Sequence, residues 1–173
     1  MNNIVSVTSI IKDTPVWVWV LFVFLVLRGI KALSDREMRI ERLFLLPMIF
    51  LIWGIYSVLT ETYFSNESLM MFGIGLILGI AIGWLIWKSQ PRLKSKPDST
   101  LIIRPGTPLT LMLILVTFIS KFIITSMLSI HPTLLHSLHY NQFFGLFSGI
   151  LDGVFWGGTL NLFIPWYKDK NRT

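Results

Sequence analysis

Five stretches of this chain are each long and apolar enough to cross a bilayer as a helix, and this constrains the fold more than any other feature. They cover about residues 15–33, 43–59, 68–87, 108–130 and 143–163. A hydrocarbon core of about 30 Å takes roughly 20 helical residues. Inside it every backbone amide must be paired within the chain, and spans of this length meet that demand as helices. The expected fold is an all-α bundle of five transmembrane helices. It forms one integral membrane domain over residues 1–173, with a cytoplasmic loop at 88–107.

Composition agrees, with 53% hydrophobic and 14% charged residues against about 25% charged in soluble domains. The chain has no cysteine, which excludes a disulfide-stapled domain, thiol chemistry and Cys-ligated metals.

Local signals mark the ends of the spans. Thr14-Pro15 and Thr107-Pro108 each place a hydroxyl cap before a proline at the first helical position. Ser34-Asp35-Arg36-Glu37 has the capping-box pattern and predicts that the second helix begins at Asp35, before it enters lipid at Leu43. Pro47 cannot donate to the carbonyl of Leu43, which predicts a kink. Between the third and fourth spans, Arg92–Lys96 and Ser99–Arg104 flank Pro97-Asp98 and suggest a small hairpin, with disorder as the alternative. Ile4, Val7, Ile10 and Ile11 can share one face of an interfacial helix, and no signal-peptide pattern precedes them.

Orientation follows from the loops. Five Lys and Arg flank the first connection, five lie in the third and three in the C-terminal tail, whereas the opposite side has Lys12 alone. Thirteen basic residues against one predict an N-terminus outside and a C-terminus in the cytoplasm of a bacterial inner membrane. The net charge of +6 is then accounted for by topology and by anionic lipid headgroups on the cytoplasmic side, without nucleic acid. Trp17 and Trp19 at the outer level, with Trp84, Trp87 and Trp166 at the inner level, fit aromatic belts.

Lys121 and Asp152 are charges within apolar spans, nine residues from Ile130 and nine from Phe143. At 1.5 Å per residue both lie about 13–14 Å deep on consecutive antiparallel helices, so they can meet. Each alone costs about 2.5–3.5 kcal/mol in lipid, which predicts an intramembrane ion pair facing the bundle interior. Thr117, Thr125, Ser129 and Ser148 extend it into a polar track. A structural pair that fixes helix partnership and a proton- or ion-coupled site are both open readings.

Glycines recur at spacing four: Gly75, Gly79 and Gly83 in the third span, and Gly145, Gly149, Gly153 and Gly157 in the fifth. Each set forms a face that admits another backbone closely, either within one protomer or between copies. Arg28 is near enough to the interface to snorkel. Glu61 and Glu67 read as solvated surface, and His131, His136 and His139 as a weak metal signal, so no metal and no cofactor is expected.

Enzyme templates fail. Gly145-Leu146-Phe147-Ser148-Gly149 approaches the G-x-S-G motif of rhomboid-type proteases, but the first glycine is one place early and no later histidine exists. There is no H-E-x-x-H, P-loop or intramembrane aspartyl dyad. The expectation is a non-enzymatic protein with a structural or interaction role, in contact with the bilayer and a membrane partner or second copy. The alternative is a small transporter or proton-coupled permease subunit using Lys121 and Asp152.

Thr14-Pro15-Val16-Trp17-Val18-Trp19, Leu27-Arg28-Gly29, Pro105-Gly106 before the span containing Lys121, and Gly145–Gly149 resemble a family of small bacterial inner-membrane proteins of unknown function. The chain is also distantly similar to membrane proteins grouped with cytochrome c biogenesis genes. The resemblance covers about residues 14–163. It implies a multi-span bacterial bundle and brings no activity or ligand.

Overall fold

A computed structural model describes residues 16–96, 99 and 101–170. The Thr14-Pro15 start, the interfacial segment before it and the Pro97-Asp98 turn lie outside the described residues. The elements are α1 (Val16–Ile30), β1 (Arg36–Arg39), α2 (Arg42–Glu61), α3 (Ser65–Trp87), β2 (Lys94–Ser95), β3 (Leu101–Arg104), α4 (Pro108–Ile130), a 3-10 turn (Pro132–His136) and α5 (Leu138–Lys170). Among the described residues four helices, α2 to α5, are long and apolar enough to cross a membrane, and α1 is a shorter apolar helix.

Helix α5 is the axis of the bundle. Of its most apolar stretch 67% is buried, against 22–39% for the other three long helices. The reason is its glycine face, which lets α3 lie directly on its backbone. Gly145 abuts the carbonyl of Ser68, Gly149 that of Phe72, Gly153 that of Leu76 and Gly157 that of Ile80. From the other side Gly75, Gly79 and Gly83 abut the carbonyls of Leu146, Ile150 and Val154. The two glycine sets therefore pack on each other within one chain, as small-residue faces do. Helix α2 lies on the remaining flank of α5, and α1 packs on α4.

Outward faces are apolar. Ile77 and Leu85 of α3 are 70% and 67% exposed, and Met112, Val116, Ile119 and Ile123 make an exposed stripe on α4 at helical spacing. Apolar surface on this scale signals a non-aqueous surrounding rather than a water-facing surface.

The expected start of the second helix at Asp35 is corrected by the structure. Arg36–Arg39 is strand β1, paired antiparallel with β3, and β2 pairs with the other edge of β3 in the order β1-β3-β2. Strand periodicity outweighs the capping-box pattern here. Met38 and its partner Ile102 both turn inward, onto a cluster with Leu43, Trp87, Leu93, Val154 and Leu162. The Asp35 carboxylate accepts from the Gly106 amide at 2.7 Å and pins the corner where the chain returns. Trp87 is likewise a core residue, 3% exposed, rather than part of an interfacial belt. Thr107 caps α4 through Oγ1, which accepts from the Leu109 amide at 3.3 Å.

Candidate functional site

Two apolar layers hold a polar layer between them. One layer joins Leu25, Phe50, Ile114, Phe118 and Phe155, with the Phe50 and Phe155 rings stacked 4.6 Å apart. The other joins Val58, Phe72, Ile124 and Phe144. Between them in sequence on α2, α4 and α5 lie Gly54, Lys121, Ser148 and Asp152, with Thr117 one turn before Lys121 on α4. Thr117, Lys121, Ser148 and Asp152 are all buried, at 0%, 7%, 1% and 0% exposed.

Lys121 and Asp152 are brought into one layer, close enough to act on each other electrostatically. They do not close into the ion pair expected from their depths: the ion pair between the described residues is Lys96–Glu37. Each instead turns to α2. The Lys121 ammonium lies 5.0 Å from the centre of the Trp53 ring, a cation–π contact. The Asp152 carboxylate fills the space beside Gly54, with Phe72 at its edge. Among the described residues neither Lys121 Nζ nor either Asp152 oxygen has a hydrogen-bond partner, and Thr117 Oγ1 has none. An unmet buried polar group is costly, so this open pair of opposite charges stands at an energetic cost inside the bundle.

Thr125 and Ser129 continue α4 beyond Lys121, with side chains outside what is described. Arg28 lies in the last turn of α1, its guanidinium over the Phe24 ring at 5.9 Å. His136 packs edge-on to Tyr63 at 4.8 Å. Among the described residues no three His, Asp or Glu side chains converge as a metal site.

Trp53 and Gly54 are the site residues that sequence reasoning missed. The available signal was that Gly54 is the one glycine of α2 and adjoins a tryptophan in an apolar run. Asn141 was missed too. It is fully buried, its Oδ1 accepts from the Tyr63 amide at 2.8 Å, and its Nδ2 donates to the carbonyls of Leu135 and Ser137 at 2.7 and 2.6 Å. It ties the two connections at that end of the bundle together.

The family model described as a family of unknown function (DUF6622) matches residues 3–171. An uncharacterized protein of Pasteurella multocida is 31% identical over 83 residues, covering 48% of this chain and 61% of that protein. The match thus spans less than two thirds of that relative's length. No solved structure matches the chain.

Proposed function

The chain belongs to the DUF6622 family of unknown function, and on that premise we propose that it is a proton-coupled component of the bacterial inner membrane. It crosses the membrane five times, N-terminus in the periplasm and C-terminus in the cytoplasm. Its working centre is Asp152, which exchanges a proton, with Lys121 as the counter-charge. The carrying observation is that these two charges share a buried layer without an ion pair between them and, among the described residues, without a hydrogen-bond partner. The thirteen-to-one asymmetry of basic residues supports the orientation, and the bacterial relative supports the setting. The likeness to cytochrome c biogenesis-associated proteins contributes nothing to this reading, and no enzymatic step is assigned.

The mechanism follows from how the helices are grouped. By backbone proximity α3 lies on α5 with α2 beside them, α1 lies on α4, and α4 and α5 approach each other less closely, the α1–α4 pair meeting α2 and α5 through the side chains of the Leu25–Phe155 layer. An ionised Asp152 attracts Lys121 and draws the α1–α4 pair toward α5. A protonated Asp152 releases that attraction. The proton thereby biases a two-state element, the least that coupling requires. A structural or interaction role is compatible with the same fold, but the glycine faces that would have offered it a partner surface are occupied within the chain.

Reconstituted vesicles with an internal pH dye test the reading. Wild type is expected to pass protons under an imposed gradient, Asp152→Asn and Lys121→Ala to abolish the flux while eluting as folded protein, and Lys88→Ala to leave it unchanged. Wild-type vesicles no leakier than empty ones, or folded variants that conduct normally, would overturn it.

A further inference from the structure

Arg36 and Arg104 stand directly opposite each other in the β1–β3 ladder, where like charges repel. Both line a cavity of about 260 Å³ between the small sheet and the adjoining ends of α1, α2 and α4. Arg28, Lys31 and Arg42 line it too, against a single carboxylate, Glu37. That carboxylate is already committed: both its oxygens accept from Lys96 Nζ at 2.8 Å.

Arg104 is the telling member. Of a guanidinium's five N–H donors, the described contact is a 3.3 Å bond to Thr110 Oγ1. Burial, and after it the charge of Arg36, pushes its pKa down to about 10, so it stays cationic at neutral pH. Arg36 is held below its ordinary value by burial and then by Arg28. A positive-inside topology asks only that basic residues lie on one side, which solvated or snorkelling chains satisfy. It does not ask for two arginines face to face, both half-buried, with no carboxylate bonded to Arg104 among the described residues.

We propose that this cavity binds a phosphate-type oxyanion, with Arg104 and Arg36 as its forked donors, Thr110 as a hydroxyl partner, and Arg28, Lys31 and Arg42 supplying charge. Guanidinium forks match phosphate oxygens in pairs, and five cations against one spent carboxylate suit a multiply charged group better than a lone carboxylate. The inner wall, with Leu46, Ile114 and Phe155, accommodates an apolar substituent. The phosphoryl group therefore has two sources, an anionic phospholipid headgroup at the membrane surface or a soluble phosphate. The site stands independently of proton exchange at Asp152.

The test uses the full chain, delipidated in neutral detergent. One arm titrates inorganic phosphate by calorimetry against chloride at equal ionic strength. The other measures, by native mass spectrometry, the lipid retained from bilayer discs of phosphatidylglycerol or of phosphatidylcholine. Wild type is expected to bind one phosphate or retain one phosphatidylglycerol. Arg36→Gln and Arg104→Gln each weaken that binding about tenfold or more, while Lys88→Gln, which removes an exposed charge outside the cavity, leaves it unchanged. Phosphate binding without lipid retention names a soluble oxyanion, and the reverse names the headgroup; either supports the site. If Arg104→Gln does not fold, Arg36→Gln carries the comparison. Binding of neither probe, or equal weakening by Lys88→Gln and Arg36→Gln, would overturn it.

Discussion

The carboxylate of Asp152 on α5 occupies the space that a methyl group on Gly54 of α2 would need. The pair is complementary: a missing side chain on one helix makes room for a charge on another. Its surroundings are the Trp53 ring that faces Lys121 and the Phe72 ring at the edge of Gly54.

Gly54→Ala is therefore expected to displace the carboxylate and destabilise the bundle by about 1–3 kcal/mol, as overpacking does. Gly73→Ala, where nothing lies within 4 Å, is expected to be neutral or to stabilise by up to about 1 kcal/mol through helix propensity. Thermal unfolding in detergent compares the two, and equal melting temperatures would contradict the contact.

Lys121→Met and Asp152→Leu, made singly, each strand one buried charge, at a cost of about 3–5 kcal/mol. Together they remove both charges, and the double variant is expected to be more stable than the worse single one. A double-mutant cycle measures this. Additive costs would mean that the two residues do not act on each other.

Gly79→Ala drives a methyl into the carbonyl of Ile150 and within 2.9 Å of the Gly153 Cα. These neighbours are backbone and cannot rotate away, so α3 and α5 have to separate. A loss of about 2 kcal/mol or more is expected in unfolding measurements, larger than for Gly54→Ala, whose obstacle is a side chain.

Asn141→Ala removes the side-chain partner of the Tyr63 amide and of the Leu135 carbonyl, while the Ser137 carbonyl keeps the residue-141 amide at 3.1 Å. With about 1–3 kcal/mol for a buried group left unpaired, a total near 3 kcal/mol is expected. Hydrogen exchange at the Tyr63 amide is expected to speed up, and an unchanged rate would show that the clamp is dispensable.

Since the chain has no cysteine, single cysteines report topology without background. With the outer membrane permeabilised, a membrane-impermeant maleimide is expected to label His136→Cys and to spare Lys94→Cys until the inner membrane is opened. Equal labelling of both would refute the orientation.

Much of the fold is legible in the sequence because it follows from local periodicity and from the cost of an unpaired backbone in lipid. The apolar runs mark α2 to α5, Thr107-Pro108 marks the start of α4, and the residues around Pro97-Asp98 mark the β2–β3 hairpin. The strand at Arg36–Arg39 was hidden, since a four-residue charged segment is a strand only when Leu101–Arg104 lies beside it. The apolar spans and the four-residue glycine rhythm could be read without the structure, as could the burial of Lys121 and Asp152. Only the tertiary structure decided that the two glycine faces meet each other, that Asp152 leans on Gly54 rather than closing onto Lys121, and that Arg36 confronts Arg104. The physical reason is that spacing along one helix or strand sets which side a residue faces, whereas the neighbour on that side comes from a distant segment and is chosen by packing the whole bundle at once.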